Sequence, residues 1–237
     1  MNDTITMREL RQTPIYRQIQ TQSLREMFKE INMNETEQRT PEWFAARLGK
    51  VTASRVADVI AKTKTGYSAS RANYLAQLVA ERLTGQQQES YSNAAMEWGT
   101  QTEPMARSAY EALVGDLVLE VGFMHHPVIK MAGASPDGLI GGNLVEIKCP
   151  NTATHIDYLL AKKPPAKYVP QMQWQMACTG SAWCDFVSFD PRLPDRHQLF
   201  VIRLDRDDKY IKELEEEVTK FLDEVESTIN KLESLNA

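Results

Sequence analysis

The chain predicts an α/β fold: helices packed on a central mixed sheet, with a long helix at the C-terminal end. Three observations predict it. Helical patterns dominate from Pro41 to about 113, strand patterns cluster between 117 and 149, and helix and strand patterns alternate after that. The 237 residues suffice for one substantial core with appendages. The 42% apolar and 25% charged content is that of a globular chain, not a disordered one.

The elements follow in order. Residues 1–38 are polar and glutamine-rich with a helical stretch at 23–31, and read as an N-terminal extension to a domain at 39–237. Thr40 is placed to cap a helix that starts at Pro41. A second helix starts at Thr52 or Ser54 and runs to about 61. A longer one covers 70–83 and stops at Gly85. A helix at 97–113 is expected to bury Met105, Ala109, Ala112 and Leu113. Residues 128–133 read as a strand, Gly141-Gly142-Asn143 as a tight turn, and Val145-Glu146-Ile147-Lys148 as the next strand. A helix at 168–178, a strand at 182–189 and an edge strand at 200–204 come next. From 208 to 235, Ile211, Leu214, Val218, Phe221, Val225, Ile229, Leu232 and Leu235 recur at heptad-like spacing. That stripe packs on its own domain or against a partner.

Charge and cysteine content narrow the function. The net charge is −5, but its distribution is uneven. From Arg39 to Arg71 there are 7 bases and 2 acids, while from Asp205 onward there are 11 acids and 5 bases. A local basic face is what a phosphate backbone would feel. Three unpaired-looking cysteines, without a C-x-x-C pair, argue against a structural zinc site or an iron–sulfur cluster and fit a reducing compartment. No apolar run approaches a membrane span, and the polar start lacks the pattern of a signal peptide, so the expected location is the cytoplasm.

The chemistry concentrates at Ser135-Pro136-Asp137-Gly138 and Glu146-Ile147-Lys148. Alternation puts Glu146 and Lys148 on one strand face and turns Val145 and Ile147 into the core. A hairpin would bring Asp137 beside Glu146, with the Ile147 carbonyl as a further oxygen ligand. Two carboxylates and an ammonium suit a metal-dependent phosphodiesterase: hard oxygen ligands for a divalent ion, and a lysine to orient water and screen charge. Either half alone also serves as solvated decoration or a plain turn. Glu103 could support the site or lie on a helix surface. Gln171 and Gln175 share a helix face, whereas Gln173 points elsewhere. Arg47, Lys50, Ser54 and Arg55 form either a pocket for a terminal phosphate or an ordinary capped helix with solvated bases. His125 and His126 point to opposite faces and read as structural.

The segment Trp43-Phe44-Ala45-Ala46-Arg47-Leu48-Gly49-Lys50-Val51-Thr52-Ala53-Ser54 resembles the opening motif of the lambda-exonuclease family, the YqaJ-type viral recombinases or phage-type alkaline exonucleases. The similarity continues through Glu97-Trp98-Gly99-Thr100-Gln101-Thr102-Glu103 and the two catalytic segments. It extends over Gln171-Met172-Gln173, Phe189-Asp190-Pro191-Arg192 and Asp205-Arg206-Asp207-Asp208-Lys209-Tyr210. The resemblance implies a restriction-endonuclease-like, PD-(D/E)xK fold for the nuclease domain 39–237. It implies a Mg²⁺-dependent (or Mn²⁺-supported) 5′-to-3′ exonuclease acting processively on ends of double-stranded DNA. By the resemblance, Asp137, Glu146 and the Ile147 carbonyl are metal ligands, Lys148 is the catalytic lysine, and Glu103 and Gln171 support them. Arg47 and Ser54, with Thr52 beside them, look like the 5′-phosphate pocket. Met96 falls where the family places an apolar wedge, although core packing is the alternative reading. A ring-shaped homotrimer and a single-strand annealing protein are the implied partners. The loop expected at 151–155 lacks the arginine anticipated from the family. A sequence- or structure-specific endonuclease, or an end-binding adaptor on the same fold, are the rival readings.

Overall fold

The computed structural model describes residues 38–88 and 94–235. The extension at 1–38, with its expected helix at 23–31, therefore lies outside the described residues except for Gln38.

Helix α1 (Pro41–Arg47) starts as expected: the Thr40 hydroxyl accepts from the Trp43 N–H at 3.3 Å. Strand β1 (Val51–Thr52), a single tight turn Ala53–Arg55 and α2 (Val56–Ile60) follow. The helix expected from 52 or 54 begins later because Val51 and Thr52 pair in parallel with Ala132 and Gly133. A small hairpin, β2 (Lys62–Thr63) and β3 (Gly66–Tyr67), precedes α3 (Ala69–Thr84). Gly85 ends α3 at φ +66°, a left-handed conformation that glycine adopts without strain. Next come α4 (Ala94–Val114), β4 (Met124–His125), β5 (Ala132–Ala134), β6 (Gly138–Ile140) and β7 (Asn143–Lys148). The chain continues through α5 (Thr152–Ala161), α6 (Val169–Thr179), β8 (Trp183–Phe189), β9 (Leu199–Asp205) and α7 (Asp208–Ser234).

The main sheet has the order β6-β7-β8-β9, and β7 and β8 run parallel while the flanking pairs run antiparallel. It is the mixed sheet the sequence predicts, with β9 at its edge. Parallel neighbours need a long crossover, and α5 with α6 supplies it. A smaller sheet, β1-β5-β4, lies beside it. Gly141 and Gly142, at φ +54° and +78°, close the β6–β7 hairpin in two residues.

Helices cover both faces of β7 and β8. Leu144, Cys184 and Phe186 pack with Tyr158 of α5 and with Met172 and Met176 of α6. Val145, Ile147 and Val187 pack with Ala106 and Tyr110 of α4. The face that carries Glu146 is thus as deeply buried as the face that carries Val145. On α7, Ile211, Leu214, Val218, Phe221 and Val225 are buried as expected, several of them against α2 and α3. The stripe packs on its own domain, and only its end, Leu232 and Leu235, is exposed.

Three expectations are corrected. Residues 128–130 form a turn, not a strand: the His126 ring nitrogen Nδ1 accepts the N–H groups of Val128 and Ile129, at 3.3 and 3.0 Å, and diverts the backbone from a ladder. The expected loop 151–155 opens α5, capped by Asn151, with His155 fully buried between the Ser188 hydroxyl and the His197 carbonyl. Helix α4 buries Thr102, Ala106 and Tyr110, while Met105 and Leu113 are exposed. That rotation lets Tyr110 donate to buried Asp185 at 2.8 Å and turns Glu103 and Arg107 toward the turn that bears Asp137.

Gly138 has no room for a side chain, since an added Cβ would lie 2.1 Å from Val118 Cγ1. Gly138→Ala should therefore lower stability by about 1–3 kcal/mol, the usual range for overpacking, as measured by urea unfolding.

Candidate active site

The β6–β7 register sets Gly138 opposite Val145, which leaves Asp137 facing the strand just beyond. There the Asp137 carboxylate accepts the Ile147 N–H at 2.7 Å. In an extended strand the N–H and C=O of one residue leave by the same edge. The Ile147 carbonyl therefore faces the Asp137 edge and is not consumed by β8. Alternation puts Glu146 and Lys148 together, and their side chains form an ion pair. The Lys148 ammonium is also 4.0 Å from Asp137.

Glu146 is fully buried. Gln171 and Gln175, one turn apart on α6, donate to its two oxygens at 2.5 and 2.7 Å. Burial, and then the charge of Asp137, push the Glu146 carboxyl up to about 7 against the pull of Lys148 and Gln175. Burial alone would lower Lys148, but the Glu146 and Asp137 carboxylates override it and hold the ammonium above its ordinary range. Lys148 therefore stays protonated and acts as a donor. Gln175, which sequence left as one of two polar helix residues, is as intimate with Glu146 as Gln171 is. Its own carbonyl oxygen is buried without a hydrogen-bond partner among the described residues.

Asp137, Glu146 and the Ile147 carbonyl form an all-oxygen donor set that fits a hard divalent ion better than a soft one. Burial raises the Glu146 carboxyl most and the charge of Asp137 adds to it, and a bound cation would relieve both. Among the described residues no third acid, histidine or cysteine completes a cluster with them. The remaining positions would fall to water, as Mg²⁺ prefers.

Glu103 lies beside this site but is engaged. It pairs with Arg107 at 2.9 Å and with Arg39 at 2.9 Å. Arg107 reaches the Asp137 carbonyl at 3.4 Å and also pairs with Glu120. Sequence reading missed Arg107, although its spacing of four from Glu103 on one helix was a usable signal. Gln38 donates to the carbonyls of Val121 and Pro136, at 2.9 and 2.7 Å, and so also touches the turn that bears Asp137.

Arg47 lies against the same turn from the other side. Its guanidinium and the Trp43 indole both donate to the Ser135 hydroxyl at 2.9 Å, and the guanidinium stacks 4.1 Å from the Trp43 ring centroid. Burial lowers Arg47 to about 10, and no carboxylate pairs with it among the described residues. A desolvated, unpaired guanidinium favours an anion. Thr52 is buried, its hydroxyl lies 3.4 Å from the hydroxyl of exposed Ser54, and its N–H donates to the Tyr74 hydroxyl at 3.1 Å. Among the described residues Arg47 and Ser54 do not hydrogen-bond to each other; the direct partner of Arg47 is Ser135. Met96, on the first turn of α4, is 53% exposed, which removes core packing as its role. His126 is structural as expected: it stacks on Trp174 and its Nε2 faces Glu215 at 3.2 Å.

This arrangement has known counterparts. Residues 42–182 match the YqaJ-like viral recombinase domain, and the chain belongs to that family. It is 56% identical to the alkaline exonuclease LHK-Exo from Laribacter hongkongensis, with a TM-score of 0.78 over 83% of this chain and 98% of that one. The same protein has been solved in complex with dAMP and matches equally well. A phage-related exonuclease from Haemophilus somnus 129PT shares the fold at 16% identity, with a TM-score of 0.64 over 77% of this chain and 96% of that one. No curated protein sequence matches the chain.

In metal-free protein, carboxyl ¹³C NMR should find Glu146 titrating near 7. Gln175→Leu removes a donor to the charged form, so that titration should move to higher pH.

Proposed function

We propose that the protein is a metal-dependent 5′-to-3′ exodeoxyribonuclease that degrades one strand of linear duplex DNA from its end. The observation that carries this reading is the joint placement of Asp137, Glu146 and Lys148, with Asp137 two residues along the chain from Ser135, which holds the desolvated Arg47. Hydrolysis and end recognition then share a single turn of chain.

Asp137, Glu146 and the Ile147 carbonyl would hold Mg²⁺. When bound, the ion supplies Lewis-acid charge that stabilises the phosphate under attack and acidifies water. Ionised Glu146 is the competent form, so binding of the ion should weaken as pH falls through about 7, where the metal-free carboxyl takes up its proton. Lys148, permanently protonated, hydrogen-bonds the attacking water and screens charge on the phosphate. Gln171 and Gln175 hold the Glu146 carboxylate in one orientation. Arg47, with Ser54 and Thr52 nearby, binds the terminal 5′ phosphate and so sets the register of cleavage. Exposed Met96 is available as a wedge between the last base pairs. Family membership extends the reading to a homotrimeric ring, processive digestion and a single-strand annealing partner.

Two substitutions test the assignment. Lys148→Ala should reduce cleavage of an end-labelled linear duplex by at least ~10²-fold while duplex binding persists in EDTA; unchanged turnover would overturn it. Arg47→Ala should erase the preference for 5′-phosphorylated over 5′-hydroxyl ends, read from the ratio of kcat/KM values. Survival of that preference would place the phosphate pocket elsewhere. A covalently closed duplex should stay intact throughout, which separates this activity from an endonuclease.

A further inference from the structure

Lys167 lies in the connection between α5 and α6, just ahead of the helix that carries Gln171 and Gln175. Its ammonium is 4.7 Å from the centroid of the Tyr168 ring and 6.0 Å from that of Tyr158. The Lys148 ammonium is 5.4 Å from the same Tyr168 centroid. Together these distances cap the separation of the two ammonium groups at about 10 Å, roughly three nucleotides along one strand.

The platform beneath Lys167 is anchored in the core. Tyr168 stacks on Phe186 at 5.6 Å, and Tyr158 meets the same ring edge-on at 5.5 Å. Phe186 is fully buried in β8. Lys167 itself is exposed, and no carboxylate pairs with it among the described residues. From 158 to 184 the chain has three lysines and no acid, in a protein of net charge −5. An exposed cation fixed by aromatic contacts beside a catalytic lysine, with no internal counter-charge, is suited to an external anion.

We propose that Lys167 binds a backbone phosphate of the DNA strand within about three nucleotides of the bond that is cut, with the Tyr168 ring spacing it from Lys148. This rests on the nuclease reading above. Lys167 acts as a contact to the substrate backbone, separate from the terminal-phosphate pocket at Arg47. It would recognise charge and not base sequence.

The test is the salt dependence of duplex binding, followed by fluorescence anisotropy in EDTA with a 5′-phosphorylated duplex. Lys167→Met keeps the stem over the rings and removes the charge together with the ammonium's interactions with Tyr158 and Tyr168. It should weaken binding at low salt and make the slope of log K against log[NaCl] shallower by about 0.9, or about 0.7 if the contact is to single strand. Lys167→Arg should retain the slope of the unaltered protein. An unchanged slope in Lys167→Met overturns the proposal, as does a loss that Lys167→Arg shares, because either assigns Lys167 to packing. Failure of the nuclease reading looks different: the unaltered protein would bind the duplex but leave linear ends uncut with Mg²⁺.

Discussion

Glu146 has no exposed surface, yet it stands two residues from Lys148 on the same strand face and feels the charge of Asp137. Removing a lone carboxylate from water costs several kcal/mol, so it persists only if partners surround it. Here the partners are an ammonium and two amides from consecutive turns of α6. They do not fully offset the burial, since the carboxyl still ionises near 7. A cation shared with Asp137 would close the remaining gap. The need to surround this one group explains why α6 crosses over the β7–β8 pair, and why it turns glutamines and methionines together toward the sheet.

The second constraint is the placement of the turn that bears Asp137. Ser135 is tied to α1 by Arg47 and Trp43, the Pro136 carbonyl receives Gln38, and the Asp137 carbonyl receives Arg107 from α4. Three consecutive residues are thus fixed by contacts from three directions. Catalytic groups need positions held to a fraction of an ångström by their surroundings, and this turn has such support. It also joins the anion-favouring guanidinium to the edge that bears Asp137 and Glu146, although Arg47 and Asp137 lie far apart in sequence.

Much of this was legible in the residues. The period-two pattern of Val145 to Lys148, the Gly141-Gly142 turn and the Asp137 spacing defined the hairpin, because each depends on local backbone rules. The stripe on α7 was legible for the same reason. The turn at 128–130 was not, because a side chain, His126, took the backbone hydrogen bonds that a ladder would have used. Helix α5 was hidden because its buried residues include a histidine, whose satisfaction depends on Ser188 and His197 from elsewhere in the chain. The buried face of α4 was misread because partners for Tyr110 and Arg107 outweighed the apolar character of Met105 and Leu113.

The sequence by itself determined the hairpin and the common strand face of Glu146 and Lys148, since local periodicity dictates both. Tertiary structure alone decided that this face is buried, that Gln175 joins Gln171 on Glu146, and that Ser135 links Arg47 to the turn that bears Asp137. It also decided the altered protonation of Glu146. Burial, and the charges that gather around a buried group, depend on segments distant in the chain, and no local pattern encodes their meeting.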